Sequence, residues 1–185
     1  MRRYGPEGRS VMVLHGGPGA PGSAGLLARA LADPFHVLEP WQRLSSDTPL
    51  TVARHIEDLA LAISHETPGE RPALVGESWG AMLGLAFAST YPERISGLAL
   101  VGCGTFDRRA RARLQSTLAE RTTPELRARI ARLATEVPDE NERAARAHAL
   151  SDSLYTYRRA VDEPIAALDL KGHTESWNDM LRLQE

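Results

Sequence analysis

Apolar residues in the first hundred positions fall into short runs separated by stretches of helical spacing. Ser10 to Leu14 is a short run closed by glycines and reads as a buried strand. Ser23 to Ala32 follows as a helix, with Ser23 the predicted N-cap and Leu26, Leu27, Ala30 and Leu31 on one side. Phe35 to Leu38 is a second strand. Val52, Ile56, Leu59 and Ile63 then recur at helical intervals, one face of an amphipathic helix that leaves His55 off the stripe. Ala73 to Val75 is a third strand, stopped by Gly76. Trp79 to Tyr91 is a helix rich in Ala, Leu and Gly that ends near Pro92, and Leu98 to Val101 is a fourth strand. Strands alternating with helices predict right-handed crossovers and a parallel sheet covered on both faces. Ligands bind such sheets beyond the carboxyl ends of the strands.

The pattern changes after Gly104, and from Phe106 onward no stretch reads as a strand. Leu114 and Leu118 share a helical face. Thr123 and Pro124 open another helix as N-cap and first residue, with Leu126, Ile130, Leu133 and Val137 as its stripe. Glu142 to Tyr157 and Ser176 to Leu183 also read as helical. The division is therefore an α/β part over 1–105 and a helical part over 106–185. A parallel sheet missing its last strands would expose an apolar edge, which predicts poor solubility or oligomerisation of the isolated chain.

Composition narrows the chemistry. A formal net charge of -2 offers no basic field for nucleic acid or an anionic membrane. The single cysteine, Cys103, follows an apolar run at a strand end, so it reads as structural, and no disulfide framework exists within the chain. The apolar run Val11 to Leu14 is too short for a signal peptide, and no window reaches the roughly 18 apolar residues of a membrane helix. The expected location is the cytoplasm. No histidine pair among His36, His55, His65 and His148 has metal-ligand spacing, so no metal is expected.

Gly76-Glu77-Ser78-Trp79-Gly80 matches G-x-S-x-G between a predicted strand and a predicted helix. By average composition that pattern arises by chance in roughly one chain in fifteen of this length, so the strand-to-helix context is what gives it weight. A sharp turn there strains the serine backbone and needs small neighbours, hence Gly76 and Gly80. It lifts the Ser78 hydroxyl to a helix N-terminus, where developing negative charge is favoured. Ser78 is the predicted nucleophile. An oxyanion needs backbone donors, and Trp79 N–H is one. The second is expected from His15-Gly16-Gly17-Pro18-Gly19 after the first strand, with Gly17 first choice and Gly16 next. His15 reads as a structural residue of that loop.

HGGPG at 15–19 together with GESWG at 76–80 resembles the α/β-hydrolase superfamily and, within it, the proline iminopeptidase-like group. The resemblance covers residues 10 to 105 and extends loosely to the end. It implies an α/β-hydrolase fold with a helical cap from Phe106 onward. It also implies an acyl-enzyme on Ser78, no cofactor, and a small-molecule or short peptide substrate with an ester or amide bond. The stretch Glu39 to Ser46 departs from the aspartate-glutamine-arginine-glycine run of that group. The triad order is Ser, then Asp or Glu, then His. The family places the last two beyond the cap, whereas this chain stops at Glu185, so a fold lacking its C-terminal strands is expected. Within the chain, His173 in Gly172-His173 and Asp107 after the fourth strand are the candidate partners. The alternative is a non-catalytic, hydrolase-like binding protein without triad acid and histidine.

Overall fold

A computed structural model describes residues 1–155 and 168–184. Five strands form one sheet in the order β1-β3-β2-β4-β5. They are β1 (Arg2–Tyr4), β2 (Ser10–Leu14), β3 (His36–Glu39), β4 (Ala73–Glu77) and β5 (Gly97–Val101). β2, β3, β4 and β5 pair in parallel, and β1 lies antiparallel against β3 at one edge. The sequence reading did not include β1. Two of its three residues are arginines, and its place is set by a tertiary contact: the Tyr4 hydroxyl donates to the buried Glu39 carboxylate at 2.8 Å.

The period-2 alternation of β2 divides the core. Met12 and Leu14 join Leu38, Leu59, Ile63, Leu74 and Phe87 on the face covered by α2 (Val52–Glu66) and α3 (Trp79–Thr90). Val11 and Val13 join Val37, Ala24 and Ala28 on the opposite face, under α1 (Gly25–Leu31). Full burial of each of the larger side chains contributes about 1.5–3 kcal/mol. Coverage is less even than expected. Ala73 and Val75 of β4 are only half-buried on the α1 face, and β5 leaves Leu100 43% and Val101 41% exposed at the open edge.

Two helix starts also differ from expectation. Ala24, not Ser23, caps α1, without a side-chain bond, because the Ser23 hydroxyl is turned to the Gly16 carbonyl at 3.4 Å. His55 is buried within α2 rather than off its stripe, because a later helix covers that side.

Four helices follow the sheet: α4 (Arg108–Arg121), α5 (Pro124–Glu136), α6 (Glu140–Tyr155) and α7 (Leu170–Leu183). Thr123 caps α5 as expected, accepting from Leu126 N–H, and Leu133 and Val137 of its stripe are buried. Leu114 of α4 remains 40% exposed. The last two residues of the helix expected over 142–157 lie outside the described residues. α7 begins six residues earlier than expected, because the Asp169 carboxylate accepts from Gly172 N–H and makes Gly172-His173 its first turn rather than a loop.

Candidate active site

The two glycine motifs follow the carboxyl ends of neighbouring strands. β2 leads into the 15–19 loop, and β4 leads through Ser78 into α3. Ser78 has φ 52° and ψ -111°, and among the described residues it is the only non-glycine with positive φ. Such a conformation costs about 1–3 kcal/mol and persists only where its surroundings hold it. Here Ser78 N–H donates to the Val101 carbonyl at 2.9 Å, and the Ser78 carbonyl accepts from Ala81 and Met82 N–H. The side chain is exposed.

The neighbouring glycines are demanded by backbone proximity. A Cβ on Gly76 would sit 2.3 Å from the Gly80 carbonyl oxygen, and one on Gly80 would sit 2.2 Å from that of Leu14. The elbow therefore presses α3 onto the end of β2. The 15–19 loop also lies against the elbow, since a Cβ built on Gly16 would lie 3.3 Å from Ser78 Cβ. Trp79 N–H, at the first helical position, has no acceptor within its helix. The Glu77 carboxyl is pushed above its usual range by burial.

Trp79 is 1% exposed and held on three sides. Its indole N–H donates to Gln42 Oε1 at 2.7 Å, His55 meets its ring edge-on at 5.9 Å, and Trp177 of α7 lies 6.4 Å away. His55 Nε2 pairs with the buried Ser176 hydroxyl at 2.8 Å, and burial lowers the His55 pKa to about 4. His15 is fully buried. Its Nδ1 faces the Gly16 carbonyl at 3.0 Å, while Nε2 accepts from Gln42 N–H at 3.2 Å. Those partners assign the proton to Nδ1, and burial depresses the pKa, so the ring stays neutral.

α7 is fastened across this region. Asp169 accepts from Ser45 N–H at 2.5 Å, Glu175 from Leu50 N–H at 2.9 Å and Asp179 from Val52 N–H at 2.8 Å. Burial works to raise the Asp169 pKa, but the bonds from Gly172 and Ser45 outweigh it and hold the carboxyl below its ordinary value. Asp169 N–H also donates to the Gly19 carbonyl at 2.8 Å. His173 Nδ1 lies 3.0 Å from the Pro18 carbonyl, so it stands beside the glycine loop. Asp107 caps α4 by accepting from Ala110 N–H. Among the described residues, no side chain hydrogen-bonds to Ser78 Oγ. Nor do any three of the described His, Cys, Asp or Glu residues gather closely enough to hold a metal ion, and no described helix is long and apolar enough to cross a membrane. An open groove of about 700 Å³ lies between the starts of α6 and α7, lined by Asp139, Asn141 and Lys171 rather than by either glycine motif.

A sequence profile described as the alpha/beta hydrolase fold matches residues 9–169. The chain belongs to the α/β-hydrolase fold family. Within that family, it is 34% identical over 108 residues to the proline iminopeptidase of Neisseria gonorrhoeae, a match covering 52% of this chain and 33% of the relative. It is 30% identical over 109 residues to the cis-3-alkyl-4-alkyloxetan-2-one decarboxylase of Shewanella oneidensis, covering 54% and 34%. The matched segment thus spans about a third of these relatives' length. Among solved structures, a thermophilic esterase from Thermogutta terrifontis superposes with a TM-score of 0.60 at 21% identity, over 97% of this chain and 65% of that one. The α/β-hydrolase sheet flanked by helices is as the sequence led us to expect. Gln42, His55, Ser176 and Trp177 were not singled out as site residues. One signal for Gln42 was its position just past the carboxyl end of β3.

Proposed function

We propose that this chain carries the nucleophilic centre of a serine hydrolase acting on an ester or amide bond of a small molecule or short peptide. Ser78 is the nucleophile, and Gly17 and Trp79 N–H are the oxyanion donors, with Gly16 next in line. One observation supports this above all. The strained, exposed Ser78 stands at the N-terminus of α3, with the 15–19 loop close enough for a Gly16 Cβ to touch it. In the reaction Ser78 Oγ bonds to the acyl carbon, its proton passes to a base, and the carbonyl electron pair moves onto oxygen, facing the N–H donors. Collapse breaks the bond to the alcohol or amine, which leaves with a proton, and water then releases the acyl group. α4 to α7 would form the cap that shapes the substrate pocket. Relatives of both kinds, an iminopeptidase at 34% identity and a decarboxylase at 30%, share this fold, so the reading of hydrolysis leans on the exposed Ser78 beside the glycine loop as well as on resemblance.

A fluorophosphonate probe tests the assignment. The expected adduct maps to the peptide containing Ser78 and is lost in Ser78→Ala; labelling that survives the substitution refutes it. A second reading, a binding protein without turnover, is favoured by the lack of any described side chain bonded to Ser78 Oγ. Purified natural protein that binds esters without releasing alcohol would support that reading.

A further inference from the structure

We infer that Gln42 is a positioning residue that sets the spacing of the two oxyanion donors; this rests on the reading of Ser78 as nucleophile. Its side-chain amide is used at both ends. The carbonyl oxygen accepts from Trp79 Nε1, and the NH2 group donates to the His15 carbonyl at 3.3 Å. Its backbone N–H holds His15 Nε2. That bond fixes the imidazole whose Nδ1–H holds the Gly16 carbonyl. Peptide groups are planar and trans, so fixing the Gly16 carbonyl fixes the Gly17 N–H on the opposite edge of the same peptide. From one residue, then, the main-chain N–H leads by two hydrogen bonds to the Gly17 donor, while the side-chain amide, which substitution removes, ties Trp79 to the His15 carbonyl, whose peptide carries the Gly16 N–H. β2 and β4, which bear these two segments, are hydrogen-bonded through the strand ladder that ends at Leu14 and Gly76, and Gly80 packs against the Leu14 and His15 carbonyls. Beyond the ladder, Gln42 adds hydrogen bonds from one residue to both segments.

The test compares Gln42→Leu and Gln42→Glu with wild type in fluorophosphonate labelling of the natural protein. Labelling forms a Ser78 Oγ–phosphorus bond, expels fluoride and passes the hydroxyl proton to a base. Misplacing a catalytic group by about 1 Å costs up to roughly a hundredfold. Gln42→Leu should therefore lower the limiting labelling rate by about tenfold to a hundredfold, with probe affinity changed by less than about twofold. Gln42→Glu keeps the acceptor for Trp79 and loses the donor to His15 until the new carboxyl is protonated. Its rate relative to wild type should therefore recover as pH falls. A natively folded Gln42→Leu protein that labels at the wild-type rate overturns the inference. If that variant does not fold, a Gln42→Glu deficit that is the same at every pH overturns it. Wild type that takes no label at Ser78 removes instead the reading on which the inference stands.

Discussion

Replacing Gly80 with alanine tests whether the elbow is held by backbone packing. The added Cβ would meet the Leu14 carbonyl oxygen at 2.2 Å, its carbon at 2.6 Å and the His15 carbonyl oxygen at 2.7 Å. All three are main-chain atoms of β2 and the glycine loop, so no side-chain rotation relieves the clash. α3 has to lift or β2 has to yield. Forced packing of this kind costs about 1–3 kcal/mol, and occasionally more, when backbone shifts are required. Alanine returns up to about 1 kcal/mol through its better helix propensity. A net loss of about 1–2 kcal/mol follows, read as a lower urea midpoint at unchanged slope. Gly97→Ala is the control. A Cβ there meets nothing within 4 Å, so stability should stay within about 0.5 kcal/mol of wild type. Gly80→Ala as stable as Gly97→Ala would refute the packing argument.

Three further outcomes follow. Ser78→Gly removes the hydroxyl and relieves a non-glycine φ of 52°; strain relief exceeds the added chain entropy, so thermal unfolding should show a gain of about 1 kcal/mol. The His55 pKa of about 4 lies below its unfolded value near 6.5, so the unfolded chain binds more protons between those limits. The stability this contributes is complete above pH 6.5 and is lost as pH falls toward 4, on the order of 3 kcal/mol in total. His15 acts in the same direction. Denaturation at pH 7.5 and 4.5 should therefore show a smaller pH effect in His55→Gln, and an undiminished slope would count against this account. Leu100 and Val101 leave apolar surface at the open edge of the sheet, so this chain should self-associate in sedimentation experiments. Leu100→Lys should shift it toward monomer, and a wild-type monomer at all concentrations would contradict the prediction.

How much of this was legible in the sequence depended on whether a residue's role is local. The apolar runs of β2, β3, β4 and β5 reveal themselves because burial in a sheet needs no distant information. G-x-S-x-G is legible because a tight strand-to-helix turn imposes its own small residues. β1 is different, since Arg2 and Arg3 carry no strand signal and Tyr4 finds Glu39 only once β3 is formed. His55 breaks an apolar stripe in one dimension and becomes core because Ser176, 121 positions later, meets it. Gln42 sits in a stretch that departs from the family pattern, and its value lies in joining two loops that no periodicity relates. Gly172 resembled a loop residue until the Asp169 carboxylate turned it into the first turn of a helix.

The carboxylates of α7 have a consequence for synthesis. Asp169, Glu175 and Asp179 satisfy N–H groups at Ser45, Leu50 and Val52, which leave the ribosome 124 to 127 residues ahead of them. At about 5–20 residues per second, the earlier segment waits roughly 6–25 s for its acceptors. The strands and the elbow can assemble during that interval from neighbours already made. The support of Gly19 by Asp169, and of Trp79 by Trp177, arrives only when α7 emerges. A ribosome stalled before position 169 would thus display a formed sheet beneath an unbraced glycine loop.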